Sequence, residues 1–135
     1  TMIDRGTIDD SVFGDGTKID NLCHFGHNAV FGKNCLITAG FISGGSVNVG
    51  DNFVCGGRSV VVGHNTVAAN VTVAGLSVVT KNHGQSGQFG GYPLVPMQTY
   101  MRNRLAVAHL AEMRKNIKRL MKKIFPDEID KESAE

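Results

Sequence analysis

Two histidines stand three residues apart in the segment NLCHFGHNAVFG, residues 21–32, among glycines and apolar side chains. A neutral imidazole can accept a proton near neutral pH or bind a metal ion, so His24 and His27 are candidates for either role. His64 stands in a similar setting in the segment VVGHNTV. The chemistry open to these side chains depends on the backbone that positions them.

A repeat of six residues runs along most of the chain. Eleven of the twelve positions reached by steps of six from Phe13 to Val79 are apolar, and Ser43 is the exception. A period of six fits neither an α-helix nor an alternating strand; it is typical of a parallel β-helix. Each unit forms one flat side with its apolar residue inward, and the small residue that often follows permits the corner. Three such sides make one coil, and a β-sandwich with coincidental spacing is the alternative.

Residues 1–80 are assigned to this β-helix, although residues 1–12 follow the repeat less well. Thr7 keeps the step of six, whereas Ile3 and Ile8 fall one or two positions away from it. The first coil has no capping helix, and an uncapped parallel stack exposes backbone hydrogen-bonding groups. We therefore expect that upstream residues are missing, or that the chain is a shortened relative of a longer protein.

The repeat ends near residue 80. Turn-forming residues fill residues 81–98, which predicts a loop. Residues 99–124 predict an α-helix that Pro126 ends, and a polar tail follows over residues 125–135. Apolar residues recur along the helix at steps of four and three, the a/d pattern of a coiled-coil seam. The residues of this seam are Ala106, Leu110, Met113, Ile117, Leu120 and Ile124.

The predicted helix is strongly basic. Between Thr99 and Ile124 there are eight Lys or Arg residues against one acid, Glu112. A solvated helix face is one explanation, and a docking surface for an acidic partner is the other. Nucleic acid is the weaker candidate because no aromatic platform accompanies the charge. The eight cations are Arg102, Arg104, Arg114, Lys115, Lys118, Arg119, Lys122 and Lys123.

Composition places the chain among ordinary globular proteins. It has 135 residues, of which 41% are hydrophobic and 19% charged, with a net charge of +2. Cys23, Cys35 and Cys55 form no CxxC pair and are odd in number, so we expect reduced thiols and a cytoplasmic location. No apolar run reaches the length of a membrane-spanning helix, so we expect no transmembrane segment.

A coil of three hexapeptides places Asp9, His27, Gly45 and Gly63 in one outward-facing column, with His64 beside its upper end. Two glycines above a histidine predict an open groove over the ring. They also allow a ligand to approach the backbone and its N–H groups. His27 thus has a possible carboxylate neighbour below and a possible backbone donor, Gly45, one coil above.

A metal site needs a third ligand beside His27 and His64, and the sequence around His64 offers none. His24 lies on a different part of the coil, and His83 and His109 lie outside the repeat. We therefore expect no bound metal. A surface histidine without a role is the remaining alternative for His27.

The segments IDRGTIDDSVFGDGTKIDNLCHFGHNAVFG, GGSVNVG, VVGHNTV and GGYPLVP together resemble the UDP-3-O-acylglucosamine N-acyltransferases of lipid A biosynthesis. The resemblance covers about residues 3–120. It implies an all-β fold, a left-handed parallel β-helix of hexapeptide repeats with a C-terminal α-helix. It also implies a homotrimer with active sites between subunits. The left hand comes from the family, because ordinary crossover rules favour right-handed connections.

The resemblance implies a role for each matching residue. His27 would be the general base that deprotonates the glucosamine 2-amine, Gly45 the backbone donor to the oxyanion, and His64 an assisting residue. Asp9 and Asp20 are candidates to orient the ring. Asn21 and His24 are further supporting residues that lie close to His27 in the sequence.

The implied donor is a 3-hydroxyacyl chain on the phosphopantetheine of acyl carrier protein, with no cofactor bound by the chain itself. Acyl carrier protein is acidic, so the basic helix is its expected docking surface, through Arg102, Arg104, Arg114, Lys115, Lys118 and Lys122. The implied acceptor is a nucleotide sugar.

Two departures from the family pattern leave alternatives open. The family's N-terminal uridine-binding domain and first coils are absent from the sequence, which puts acceptor binding in question. The pair His24 and His27 also resembles the sister O-acyltransferase acting on UDP-N-acetylglucosamine, whereas GGYP favours the N-acyltransferase. A related O- or N-acyltransferase with another sugar acceptor or an acyl-CoA donor is one alternative. A non-enzymatic trimeric β-helix is the other.

Overall fold

A computed structural model of the chain describes residues 1–125. Short strands recur along residues 2–96, and two helices follow. The strands are β1 Met2–Ile3, β2 Val12–Phe13, β3 Lys18–Ile19, β4 His24–Phe25, β5 Val30–Phe31, β6 Leu36–Ile37, β7 Ile42–Ser43, β8 Asn48–Val49, β9 Val54–Cys55, β10 Val60–Val61, β11 Thr66–Val67, β12 Val71–Val73, β13 Val78–Val79, β14 Gly87–Gly90 and β15 Val95–Pro96. The helices are α1 Met97–Val107 and α2 Leu110–Ile124.

The strands stack into three parallel sheets that form the sides of a β-helix. Their orders are β1-β4-β7-β10-β13, β2-β5-β8-β11 and β3-β6-β9-β12-β14, with β15 added antiparallel to β14. Phe13 pairs with Phe31, and Phe31 with Val49, so the register advances by three hexapeptides per coil. This confirms the predicted parallel β-helix of hexapeptide repeats with a helical C-terminal part, consistent with the left hand that the family implies.

The interior is a narrow stack of the anchor residues and of the side chains two positions before them. Phe25, Phe31, Phe41 and Phe53 are fully buried, with neighbouring rings 5.2 to 6.3 Å apart. The three cysteines are also buried and free, and burial raises the pKa of the Cys55 thiol to about 11. At neutral pH this thiol stays protonated and serves as a core side chain.

The corners turn on a residue three positions after the anchor, not on the small residue directly after it. Nine non-glycine residues at this position have φ between 54° and 61°, among them Asn28, Asn34 and Ser46. The small residue is needed for a different reason. A methyl group on Gly26 would lie 2.6 Å from the Gly45 nitrogen, because the next coil passes directly over it.

The first coil is longer than the others. Ile3 pairs with Phe25, whereas a regular coil would place Thr7 there, so four additional residues enlarge the turn between β1 and β2. Ile3 therefore takes the anchor position that the step of six assigned to Thr7. We call residues 4–11, which connect β1 to β2 and contain the four additional residues, the bulge.

The segment 81–98 differs from the predicted loop. Strand β14 continues the sheet of β12, with Val73 opposite Phe89, and β15 pairs back on β14. A regular coil after Val73 would place the next anchor at Gly91, but the buried Phe89 takes that position. The ring of Tyr100 lies against Gly90, where a methyl group would be 2.7 Å from the ring.

The predicted helix 99–124 is divided into α1 and α2 by a break at residues 108–109. The compact unit Thr1–Tyr100 is distinct from the unit that begins at Met101. Ala106 lies in α1, and the other five residues of the predicted seam lie in α2, each half or more exposed. No helix within residues 1–125 is long and apolar enough to cross a membrane. The predicted tail lies, except for Phe125, outside the described residues.

Candidate active site

His27 lies at the corner between β4 and β5, with its side chain exposed. A methyl group on the Cα of Gly45 would lie 2.5 Å from His27 Nε2 and 2.6 Å from Cε1. The imidazole is therefore directly beneath Gly45, and a side chain at position 45 would overlap the ring. The structure brings His27 and Gly45 together as the length of the coil predicts.

Main-chain hydrogen bonds at this corner link three successive coils. Ser46 N donates to His27 O at 2.7 Å, and His64 N donates to Gly45 O at 2.9 Å. The Gly45 N–H has no hydrogen bond within residues 1–125. Gly63 above it carries no side chain, so a ligand oxygen can approach this N–H from the next coil.

The neighbouring corner shows what such an N–H can bind. Lys33 N–H, which corresponds to Gly45 N–H, donates to the Asp51 carboxylate at 2.7 Å. Asp51 stands one coil above Lys33, as Gly63 stands one coil above Gly45. An N–H at this type of corner can therefore bind an anionic oxygen with good hydrogen-bond geometry.

The His27 ring is held by Asn28 and not by the expected carboxylates. His27 Nδ1 lies 2.9 Å from Asn28 Oδ1. Asp9 contributes only its main-chain carbonyl, to Asn28 Nδ2 at 2.6 Å, and the Asp20 carboxylate accepts from Asn21 N at 2.7 Å. Among the described residues, neither carboxylate contacts His27. Asn28 is not among the residues predicted from the sequence, because asparagine recurs at many corners of the repeat. Its one distinguishing feature is that, among the corner asparagines, it alone directly follows a histidine.

The other predicted residues occupy separate positions. His64 is an exposed corner residue with φ of 61°, joined to Gly45 through its main chain. His24 faces outward from β4, where its Nε2 is 3.7 Å from Asp4 Oδ2 and its buried Nδ1 has no hydrogen-bond partner among residues 1–125. Asn21 accepts a main-chain hydrogen bond from Gly40 at 3.0 Å. Within residues 1–125, no three His, Cys, Asp or Glu side chains converge as a metal site requires.

The basic residues predicted to bind a carrier protein lie on both helices. Arg102 and Arg104 are in α1, and the other four are in α2. One face of α2 is apolar, through Leu110, Met113, Ile117, Leu120 and Ile124, and the cations occupy the remaining surface. Helix α2 is therefore amphipathic, with an apolar stripe flanked by positive charge.

Comparison with known proteins gives consistent matches. No family model matches the chain. The chain is 41% identical over 114 residues to the probable UDP-3-O-acylglucosamine N-acyltransferase 2, mitochondrial, of Arabidopsis thaliana, covering 84% of the chain and 37% of the relative. It is 41% identical over 112 residues to the UDP-3-O-acylglucosamine N-acyltransferase of Methylorubrum extorquens, covering 83% of the chain and 32% of the relative.

A third match extends the alignment. The UDP-3-O-acylglucosamine N-acyltransferase of Bordetella pertussis is 35% identical over 121 residues, which cover 89% of the chain and 33% of the relative. The chain spans about a third of the length of the curated relatives it matches. Over most of its own length, the chain is a homologue of the UDP-3-O-acylglucosamine N-acyltransferases.

Proposed function

We propose that the chain carries the acyl-transfer site of an acyltransferase of this family. The reaction moves a 3-hydroxyacyl group from acyl carrier protein to the 2-amine of UDP-3-O-acylglucosamine, the acceptor that the relatives' names indicate. The observation that carries the proposal is the pairing of His27 Nε2 with the corner of Gly45, whose N–H is open to a ligand.

The geometry supports a general-base mechanism. The acceptor amine attacks the thioester carbonyl, forming a C–N bond, and His27 Nε2 takes the amine proton. The carbonyl oxygen becomes negative and is stabilised by the Gly45 N–H. The C–S bond then breaks, and the imidazolium returns the proton to the leaving thiolate. The phosphopantetheine belongs to the donor, so the chain itself needs no bound cofactor.

We propose that the chain acts as a homotrimer. The flat sheets carry exposed apolar side chains on their outer faces, among them Val12, Val30, Leu36 and Ile42, and a second copy can cover them. Sedimentation equilibrium should give three times the mass of 14.5 kDa. A monomer at micromolar concentration would contradict the proposed trimer and would exclude an active site shared between subunits.

A transfer assay tests the function. The chain is incubated with 3-hydroxyacyl-carrier protein and UDP-3-O-acylglucosamine, and the N-acylated product is measured by mass spectrometry. Because the chain spans about a third of its relatives, a full-length relative is assayed in parallel. Turnover only with an acyl-CoA donor or another acceptor would favour a related hexapeptide acyltransferase. No turnover with any donor would favour a non-enzymatic β-helix.

A further inference from the structure

The bulge of the first coil meets the candidate base through one side chain, Asn28. Asn28 Oδ1 accepts from Thr7 N–H at 3.2 Å and from the Thr7 hydroxyl at 3.0 Å. Asn28 Nδ2 donates to the main-chain carbonyl of Asp9 at 2.6 Å. The same Oδ1 lies 2.9 Å from His27 Nδ1. Asn28 is half-buried, so these contacts are partly shielded from water.

Two main-chain groups fix the orientation of the Asn28 amide. The Thr7 N–H can only donate, so the atom that meets it must be the amide oxygen. The Asp9 carbonyl can only accept, so the atom that meets it must be the amide nitrogen. A flipped amide would place donor against donor and acceptor against acceptor.

The fixed amide in turn fixes the His27 tautomer. An amide oxygen cannot donate, so His27 Nδ1 must carry the proton that joins the two side chains. A neutral imidazole has one N–H, and Nε2 therefore presents its lone pair. This is the nitrogen nearest to Gly45. A base at this position must be unprotonated on that nitrogen to accept the amine proton.

We propose that Asn28 is the positioning residue of this site and holds His27 as the Nδ1–H tautomer, and that the bulge fixes Asn28 in turn. The catalytic consequence rests on the proposed function, whereas the tautomer itself does not. The four additional residues of the first coil thereby have a role: they bring Thr7 to the Asn28 amide oxygen. A regular coil would place Thr7 at the anchor position opposite Phe25, whereas the Asp9 carbonyl meets Asn28 at the offset of 19 residues that the regular corners share.

Two substitutions separate the parts of this proposal. Asn28→Leu removes the acceptor but keeps the size of the side chain, and Leu22 and Leu76 occupy the same corner conformation at φ of 58° and 59°. Asn28→Asp keeps an acceptor oxygen for Nδ1–H and loses the donor to Asp9. The matched control is Asn52→Leu. Asn52 has φ of 55°, and its amide donates to Asn70 Oδ1 at 3.0 Å and not to a histidine.

The direct measurement is long-range 1H–15N NMR of the 135-residue chain labelled in histidine, at a pH of about 8.5, where an ordinary imidazole is neutral. Wild type, Asn28→Asp and Asn52→Leu should show His27 as the Nδ1–H tautomer. Asn28→Leu should shift the signal to Nε2–H, the form that free imidazole side chains favour in water. Wild type in the Nε2–H form, or an unchanged signal in Asn28→Leu, would overturn the proposal.

The kinetic measurement tests the catalytic consequence. Asn28→Leu should lower kcat by at least roughly 10- to 100-fold, the loss seen for residues that orient metal-bound histidines, with little change in KM. Asn28→Asp should recover most of that loss. If Asn28→Leu and Asn28→Asp lowered kcat equally, Asn28 would act only by holding the bulge and not by accepting the His27 Nδ1 proton. Because the NMR result needs no substrate, failure of the acyl-transfer assay leaves the tautomer test valid.

Discussion

Two corners of the β-helix have equivalent backbone positions but differ in the residue that lies above their N–H groups. At the first, the N–H of Lys33 is occupied by the carboxylate of Asp51, 2.7 Å away. At the second, Gly63 leaves the N–H of Gly45 open above the ring of His27. Within residues 1–125, Ala39 beneath Gly57 and Gly57 beneath Gly75 also have an N–H without a hydrogen bond, so the site depends on the combination of an open donor and the histidine beneath it.

The strongest test of this comparison removes His27. His27→Ala should lower turnover by roughly 10²- to 10⁴-fold, the usual contribution of a positioned base. The melting temperature should hold because the side chain is exposed. The control is Lys33→Ala, six residues on, whose exposed side chain stands two positions after its anchor residue as that of His27 does, and which should keep full turnover.

His24→Ala provides a second control, because His24 contacts Asp4 and not the Gly45 corner. It should cost much less turnover than His27→Ala. Wild-type turnover in a full-length relative that carries the equivalent of His27→Ala would disprove the base assignment. His64, joined to Gly45 through the main chain, would then be the next candidate.

The second test converts the open corner into the occupied one. Gly63→Asp should place a carboxylate on the Gly45 N–H, as Asp51 does on Lys33. We expect turnover to fall by roughly 10²- to 10³-fold, the cost of losing an oxyanion donor. A Cβ at position 63 would lie 3.1 Å from Gly45 O, so both Gly63 variants should lower the melting temperature somewhat. Gly63→Ala adds bulk without an acceptor and should cost much less. Equal losses in the two variants would show that crowding, and not competition for the donor, inactivates the site.

The third test separates chemistry at the corner from carrier binding. Replacing Arg114, Lys118 and Lys122 of α2 by Glu should weaken binding of acyl carrier protein by roughly 10-fold or more and lessen its dependence on salt. Affinity measured by calorimetry at low and high salt checks this. The control makes the same change of charge at Lys18, Lys33 and Lys81. If both sets of substitutions weakened binding equally, the effect would come from net charge and not from a docking surface on α2. If the α2 substitutions left the affinity unchanged, these cations would belong to a solvated helix face.

The sequence predicts the regular part of the fold because six-residue spacing reflects a simple geometric constraint. The step from Phe13 to Val79 gives the coils and their register, and the stacking of His27 beneath Gly45 follows from it. The prediction fails where the register changes. Asp9 contributes its main-chain carbonyl to Asn28 and not its carboxylate to His27, and Phe89 takes its anchor position in a glycine-rich segment before the regular step is complete.

Other features are hidden for different reasons. The division of the helix at residues 108–109 has no Gly or Pro to mark it, since the sequence there is Ala-His. The role of Asn28 is hidden because asparagine is favoured at any corner with positive φ. Its contact to Thr7 arises from the pairing of Ile3 with Phe25, which the six-residue repeat does not contain.

The fourth test opens the occupied corner and should have the smallest effect. Asp51→Gly removes the carboxylate from the Lys33 N–H and leaves that donor open, as it is at Gly45. Turnover should not change, because no histidine ring lies beneath this corner. Stability should fall by about 1–2 kcal/mol in urea unfolding, since a charge-assisted hydrogen bond is lost and glycine adds backbone entropy to the unfolded chain.

Asp51→Ala divides that loss into its two parts, because alanine removes the hydrogen bond without the added backbone freedom. It should lose less stability than Asp51→Gly by about 0.5–1 kcal/mol. If neither variant loses stability, the bond from Lys33 to Asp51 contributes nothing measurable, as many exposed contacts do. An open N–H at a corner would then cost the fold nothing, and the histidine ring beneath Gly45 would be the feature that distinguishes the candidate site.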